Sequence, residues 1–318
     1  MKFTAIAAAS FLFFGVSSLA ADQTPPITDW SNIETVVVTA QAPGPAFWRL
    51  SKGDSEIWIL GTLGPMPEKL AWNTNHLAQL IDGAHEVLLP PKASAGFFDL
   101  AWFLLTNREL LSMPDGQKLE DSLSPQLRAR FIAAREAIHR KPGHYEDDSP
   151  VVAAVKLESE TNDAMNLSWD EPRETVEKIA RVKHVKVREI ANYDATQLVK
   201  EILKLGPEAG RACLENAVGD VELRTAHAVP AADAWAVGDL KDIKAHYAAP
   251  TLGPCVRSSG SYSKLDQRAV ADSLAAIDAA LSKPGKTVML VDIGSLLRNT
   301  GVIEKLREKG IAIEGPAE

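Results

Sequence analysis

The sequence has few cysteines and histidines, and it lacks the short motifs by which many hydrolases are recognised. Its 318 residues include two cysteines and seven histidines. It contains neither the H-E-x-x-H zinc motif nor the G-x-S-x-G turn that carries a nucleophilic serine. The histidines are scattered without the spacing of metal ligands. The residues alone therefore predict no bound metal, no cofactor and no nucleophilic active site.

Long apolar runs are absent beyond the first residues of the chain. The closest later stretch, Phe97–Leu105, is too short and is interrupted by an aspartate, since a spanning helix needs about 20 apolar residues. The N-terminus combines Lys2, an apolar stretch over Ala5–Val16 and a small-x-small ending at Ser18-Leu19-Ala20. This pattern is typical of a secretory signal peptide. We expect residues 1–20 to be removed and the mature protein to be periplasmic or secreted, without spanning the membrane.

Positive charge is also in short supply. The chain has 34 Lys and Arg against 42 Asp and Glu, a formal net charge of −8. Surfaces that bind nucleic acid or anionic membranes depend on clustered basic side chains. The overall balance argues against both partners, and we expect no nucleic acid to bind.

The two cysteines, Cys213 and Cys255, are an isolated pair. In an oxidising compartment such a pair is predicted to form a disulfide. Closing this loop would stabilise the folded chain by about 4 kcal/mol through the entropy of the unfolded state. A reactive thiol is the alternative, but no histidine-bearing motif lies beside either cysteine.

Residues 21–45 are rich in Pro, Thr, Ala and Gln, and we interpret them as an extended linker. Within it, Ile33–Gln41 (IETVVVTAQ) is similar to the TonB box of outer-membrane receptors. An extended β-branched run can add as a strand to the sheet of a partner. Two alternatives remain: a strand that pairs with this protein's own sheet, or a simple tether. The interpretation as a TonB box would make the partner an envelope protein or peptide whose identity the sequence does not give.

The segment that follows the linker predicts a β-hairpin. A two-residue turn at Gly53-Asp54 would place Trp48 and Leu50 opposite Ile59 and Ile57 on one face. The C-terminal end predicts a helix, a buried strand, a second helix and a last strand, over 265–281, 286–294, 300–309 and 311–315. This alternation indicates an α/β fold with a central β-sheet flanked by helices, and we assign 46–318 to one domain.

Helices and strands are also predicted between these two ends. We expect helices over 73–82, 97–111 and 194–205, strands over 86–91 and 185–190, and two helices within 221–247. Ser124 and Ser149 each precede a proline, and with Asp170 they are candidate helix N-caps.

Three stretches together resemble the TraB/GumN family, whose animal relatives include the Tiki proteins. The resemblance is strongest at WRLSKGDSEIWILGT, AWAVGDL and GVIEKLREKGIAIE, and it extends over about 47–315. In that family the first hairpin ends in G-x-x-H, and a later strand ends in a second G-x-x-H. A glutamate ends the strand that follows the first helix. The resemblance implies that these groups bind a divalent metal and hydrolyse peptide bonds, which imidazole and carboxylate ligands can support.

This chain departs from the family pattern at each reactive position. Gly61 matches the first motif glycine, but Gly64 stands where the histidine belongs. In the second motif Asp292 replaces the glycine and Ser295 the histidine, while the glutamate position falls on Pro90. Gly and Pro have no side-chain donor, and a neutral hydroxyl is a poor substitute for imidazole. The resemblance therefore implies a divergent member without a catalytic or metal site, which we expect to act as a binding or interaction scaffold.

Two alternative sites would be built from ionisable side chains. Asp292 could regroup with Asp54, Glu68 and Glu86 into a carboxylate site, which would give a metal-dependent hydrolase or peptidase of the same fold. Separately, His144–Asp148 (HYEDD) could hold a divalent cation, although such a stretch is also typical of a solvated loop.

Overall fold

The hairpin that opens the described chain carries the register predicted from its sequence. The computed structural model describes residues 43–247, 255–256 and 259–316. Strands β1 (Phe47–Lys52) and β2 (Ser55–Thr62) are antiparallel, with Trp48 opposite Ile59 and Leu50 opposite Ile57. The predicted signal peptide and most of the predicted linker, including Ile33–Gln41, lie outside the described residues.

A six-stranded mixed sheet forms the centre of the fold. Its order is β10-β1-β2-β9-β4-β7. Strands β2, β9, β4 and β7 are mutually parallel, whereas β1 and β10 are antiparallel to their neighbours. Besides the hairpin, the strands are β3 (Met66–Pro67), β4 (Glu86–Leu89), β5 (Lys92–Ser94), β6 (Leu167–Ser168), β7 (Lys186–Glu189), β8 (Asn192–Asp194), β9 (Gly285–Asp292) and β10 (Ile313–Glu314). Two short pairs, β3 with β6 and β5 with β8, extend beyond the central sheet.

Helices cover the sheet and form a cluster at its side. They are α1 (Asn75–Ile81), α2 (Phe97–Thr106), α3 (Pro125–Ala137), α4 (Pro150–Ala164), α5 (Arg173–Val182), α6 (Thr196–Leu203), α7 (Pro207–Val237), α8 (Leu240–His246), α9 (Gly260–Leu281), α10 (Ile293–Leu297) and α11 (Val302–Glu308). The predicted α/β architecture, a central sheet flanked by helices, is confirmed. Among the described residues, no helix combines the length and the apolar character needed to cross a bilayer.

The predicted helix caps have mixed outcomes. The Ser124 hydroxyl accepts a hydrogen bond from the Leu127 N–H, as an N-cap should. Ser149 precedes α4, but its hydroxyl donates to the Leu110 carbonyl and caps nothing. The prediction for Asp170 is wrong, because α5 begins at Arg173 without a side-chain cap.

Apolar side chains are buried in two clusters. The larger one is formed by both faces of the central sheet with α1, α5, the end of α7 and the C-terminal helices. The smaller one lies between α3, α4 and the first half of α7, around Phe131, Leu157 and Leu214. Helix α7 contributes to both clusters. It also carries Cys213, which forms the predicted disulfide with Cys255 at a Cα–Cα distance of 5.2 Å.

Candidate functional site

The carboxyl ends of the parallel strands meet at one edge of the sheet, which is where open α/β sheets bind ligands. Thr62, the last residue of β2, pairs directly with Asp292, the last residue of β9. Pro90 follows β4, the next strand along. The positions singled out from the sequence on β2, β4 and β9 therefore lie at a common edge. Ser295 lies in the first turn of α10, directly after β9.

Gly61 is enclosed by two tryptophans. Its carbonyl accepts a 2.7 Å hydrogen bond from Nε1 of the buried Trp235. A Cβ at Gly61 would lie 2.8 Å from Cζ3 of Trp48, whose side chain is also buried. Trp72 packs edge-on against Trp235, with ring centroids 5.1 Å apart. This glycine is required because indole rings come closer to the backbone than a side chain would permit.

The space beside Gly64 is filled by an indole ring. A Cβ at Gly64 would lie 3.0 Å from Cε3 of Trp169, a distance tighter than most real contacts of a Cβ. Trp169 reaches this position because β6, just before it, pairs antiparallel with β3, which follows the loop of Gly64. Any larger side chain at position 64 would displace this ring.

Asp292 is used as a helix cap. Its Oδ1 accepts a 2.8 Å hydrogen bond from the Ser295 N–H at the start of α10. Burial raises the pKa of the Asp292 carboxyl, and hydrogen bonds from Ser295 together with the positive charge of Arg298 offset only part of that effect. Arg298 itself is paired with Asp266 at 3.0 Å. The carboxylate is thus partly buried and already committed to the backbone of its own strand–helix turn.

Tyr247 closes the space next to this turn. A Cβ at Gly294 would overlap the Tyr247 hydroxyl, so the two are in close contact. Burial raises the pKa of Tyr247 well above its ordinary value, and the negative charge of Asp292 raises it further. The phenol therefore stays neutral at physiological pH.

The fourth parallel strand ends in an ion pair. Glu189 at the tip of β7 accepts a 2.7 Å hydrogen bond from Arg173, and this bond lowers the pKa of the glutamate. Arg173 also binds Glu177, at 2.8 Å. Pro90 follows β4, the strand between β9 and β7, and has no side-chain donor.

The scaffold around this edge identifies the family. The profile of the TraB/PrgY/gumN family matches residues 46–315, nearly the whole described chain. The chain belongs to the TraB/PrgY/gumN family. Searches of the curated proteins and of the solved structures found no significant match.

The divalent metal that the TraB/GumN resemblance implies does not fit the donors at this edge. Gly64 and Pro90 provide no donor atom, and Ser295 provides a neutral hydroxyl. The Asp292 carboxylate is engaged as a cap. Among the described residues, no group of three or more His, Cys, Asp or Glu side chains is arranged to hold a metal ion. Trp169 and Tyr247 occupy space beside the strand ends instead of ligands.

Two of the four carboxylates in the regrouped site, Asp54 and Glu86, lie far from Asp292. Asp54 lies in the hairpin turn, where its carbonyl accepts from the Gly285 N–H at the start of β9. Glu86 begins β4 and is paired with Arg188. Both therefore lie at the amino-terminal edge of the parallel strands, opposite Asp292. An eight-residue strand such as β9 separates the two edges by roughly 20 Å.

The HYEDD segment forms ion pairs within the helical cluster. His144 Nε2 lies 3.0 Å from Glu160 Oε1, and Glu160 also accepts from Arg140 and from the Tyr145 hydroxyl. Asp148 is paired with Lys156. These contacts hold His144, Tyr145 and Asp148 onto α4.

Trp169 and Tyr247 were not predicted to be parts of this edge. Trp169 is 105 positions from Gly64 along the chain, and no spacing rule connects them. Tyr247 ends a short helix and carries no motif. Of the enclosing side chains, Trp48 was predicted through its place opposite Ile59 in the hairpin.

Proposed function

We propose that this chain is a catalytically inactive, exported member of the TraB/PrgY/gumN family that acts as a binding or interaction scaffold. The observation that carries the proposal is the packing of Trp169 against Gly64. In the pattern that the resemblance implies, this position holds a metal-binding histidine. Here the residue lacks a side chain, and an indole fills the space where one would project.

The opposite side of the edge supports the same proposal. Asp292 and Ser295 form a helix cap with each other, and Tyr247 packs against the glycine between them. A ligand-poor edge filled by packed rings can present a surface, but it cannot activate a water near neutral pH. Loss of the metal ligands with retention of the scaffold favours recognition over turnover.

Export is supported by the N-terminal pattern and by the disulfide. Residues 1–20 have the composition of a secretory signal peptide. The bond between Cys213 and Cys255 is of a kind that persists in oxidising compartments. We place the mature protein in the periplasm or outside the cell, with an envelope protein or peptide as its partner. Ile33–Gln41 is the segment through which it would dock.

A metal-dependent hydrolase of the same fold is the second candidate. One observation favours it: burial raises the pKa of the Asp292 carboxyl at the strand end, beside Tyr247 and Arg298. Perturbed carboxyls of this kind are common in active sites, although helix caps and ion-pair networks also produce them.

The deciding experiment measures bound metal and hydrolysis together. We expect purified mature protein to contain far less than one equivalent of manganese, cobalt or zinc by mass spectrometry. We also expect no cleavage of denatured casein when each metal is added. One tightly held equivalent that is lost in the Asp292→Ala variant, together with metal-dependent cleavage, would establish the hydrolase instead.

A pair of designed variants tests the role of Trp169. The first carries Gly64→His, Pro90→Glu and Ser295→His, which restores the donors of the family pattern. The second adds Trp169→Ala. If the indole obstructs the site, the second variant should bind the metal more tightly than the first. Equal metal binding by both variants would show that Trp169 does not obstruct this position.

A further inference from the structure

Two histidines from successive helices face each other at the corner between α7 and α8. Gly238, with a φ of 77°, ends α7, and Asp239 caps α8 by accepting from the Asp242 N–H. So short a connection returns the second helix along the first, as in an αα-hairpin. His227 on α7 and His246 at the end of α8 are therefore neighbours, although they are 19 positions apart along the chain.

The two imidazole rings meet through the same nitrogen atom. Nδ1 of His227 lies 2.9 Å from Nδ1 of His246, and the ring centroids are 5.2 Å apart with the ring planes inclined by 37°. Both side chains are half-buried, so solvent reaches them. A hydrogen bond between two neutral rings requires one Nδ1 to carry the proton and the other to accept it. Both Nδ1 lone pairs become available once that proton moves to Nε2 of its own ring.

The separation of the two nitrogens is close to that of adjacent ligands on one metal ion. Neutral imidazole is the commonest metal ligand in proteins and suits zinc, copper and nickel. Bonds of about 2.0 Å place neighbouring nitrogens about 2.8 Å apart in a tetragonal Cu²⁺ site and about 3.3 Å apart in a tetrahedral Zn²⁺ site. The observed 2.9 Å is within about 0.5 Å of both. The rings need only turn until their lone pairs converge on one point.

The charged groups on α8 leave a carboxylate closest to the pair. Asp242 is exposed and precedes His246 by one helical turn, so the two side chains share a face of α8. Lys241 and Lys244 project from other faces of this helix. The charge on the face of the histidines is therefore negative, which favours a cation there.

The nearest cation on α7 is bound elsewhere. Arg224 precedes His227 by one turn, but its guanidinium donates to Asn162 Oδ1 at 3.0 Å and to Glu158 Oε2 at 3.5 Å, both on α4. This positive charge is thus turned away from α8 and neutralised. It does not oppose a metal ion beside the histidines.

We propose that His227 and His246 form a two-histidine site for a divalent transition-metal ion, Cu²⁺ or Zn²⁺. Among the described residues, no third His, Cys, Asp or Glu is placed to join them, so water completes the coordination. Structural zinc sites have four protein ligands, and a site with two holds an ion that exchanges with solution. The ion links α7 to the last turn of α8 and so fixes the backbone next to Tyr247.

Calorimetric titration of tag-free mature protein, freed of metal by a chelator, tests the proposal. We expect one equivalent of Cu²⁺ or Zn²⁺ to bind, and Mg²⁺ not to bind, because that ion prefers oxygen ligands. The electron paramagnetic resonance spectrum of the Cu²⁺ complex should show coupling to two imidazole nitrogens. Affinity should fall between about pH 7.5 and about pH 5.5, because a protonated imidazole has no lone pair for a metal.

Single substitutions locate the site. His227→Gln and His246→Gln should each raise the Kd at least tenfold, since loss of an outer-shell partner alone costs about 10- to 100-fold. Thermal unfolding without metal verifies that each variant is folded. His184→Asn is the matched control, because it removes an exposed histidine whose positive φ of 57° asparagine also tolerates. The Kd of this control should not change.

Three results would overturn the proposal. The first is that neither Cu²⁺ nor Zn²⁺ binds with a stoichiometry of one, which would leave the pair as a hydrogen bond between two helices. The second is that His227→Gln and His246→Gln bind as the wild type does. The third is that binding is lost in Asp292→Ala but kept in both histidine variants. This last result would assign the ion to the strand edge and would also contradict the inactive scaffold, which the first two results leave untouched.

Discussion

Replacing Gly61 by alanine tests the packing that encloses the strand edge. The added Cβ would lie 2.8 Å and 3.3 Å from two ring carbons of Trp48 and 3.4 Å from Cγ1 of Ile293. Trp48 is only 1% exposed, so its ring cannot swing into solvent to relieve the overlap. Overpacking a rigid core in this way costs about 1–3 kcal/mol. Displacing the backbone would also weaken the hydrogen bond from Trp235 to the Gly61 carbonyl, worth about 1 kcal/mol.

Urea denaturation followed by circular dichroism measures the effect. We expect Gly61→Ala to lower the free energy of unfolding by about 1–3 kcal/mol. Gly64→Ala is the informative comparison, because its Cβ meets Trp169 at 3.0 Å but that ring is 52% exposed and can move aside. It should change stability by less than about 1 kcal/mol. Gly260→Ala is the control, since its Cβ would meet nothing within 4 Å.

Either of two results for the glycine variants would contradict this description of the packing. If Gly61→Ala is as stable as the wild type, the Trp48 ring is free to shift and the edge is not rigid. If Gly64→Ala loses as much stability as Gly61→Ala, Trp169 is held in place more firmly than its exposure indicates.

Three other predictions follow from contacts described above. Asp292→Asn should raise stability at neutral pH, because it removes the cost of burying a charged carboxylate. The amide oxygen can still cap the Ser295 N–H. The folded pKa of Asp292 is raised, so the carboxyl favours folding below its unfolded pKa and loses that advantage as pH rises through the folded pKa. The gain should therefore vanish in acid, as urea titrations at several pH values would reveal. Replacing both Cys213 and Cys255 by serine should lower the free energy of unfolding by about 4 kcal/mol, and a reductant should then have no further effect. Ser124→Ala should cost about 1 kcal/mol in the same assay through loss of the α3 cap.

Local patterns predicted the parts of the fold that depend on neighbouring residues. The alternation around Gly53-Asp54 fixes the hairpin register, because a shift by one residue would turn Trp48 and Leu50 to the opposite face. The C-terminal alternation of helix and strand was also confirmed, because its pattern likewise depends on neighbouring residues. The disulfide followed from the count of cysteines.

Contacts between distant segments could not be predicted. Helix α7 begins at Pro207, well before the expected start at Val221. Its first half was not predicted because it is rich in Ala, Gly and charged residues and has no clear apolar stripe. The packing of Trp169 on Gly64 depends on the short β3–β6 pair, which neither segment indicates alone. Asp54 and Glu86 were grouped with Asp292 because the sequence does not say at which end of a sheet an acidic residue will lie.

Helix α7 has a consequence for how the molecule unfolds. Its 31 residues span about 46 Å, and it supplies Leu214 to the helical cluster and Trp235 to the cluster around the sheet. If α7 detaches from one hydrophobic cluster, apolar side chains of the other cluster become exposed as well. Heat should therefore melt both clusters in one cooperative step, and calorimetry should record a single endotherm whose van't Hoff and calorimetric enthalpies agree.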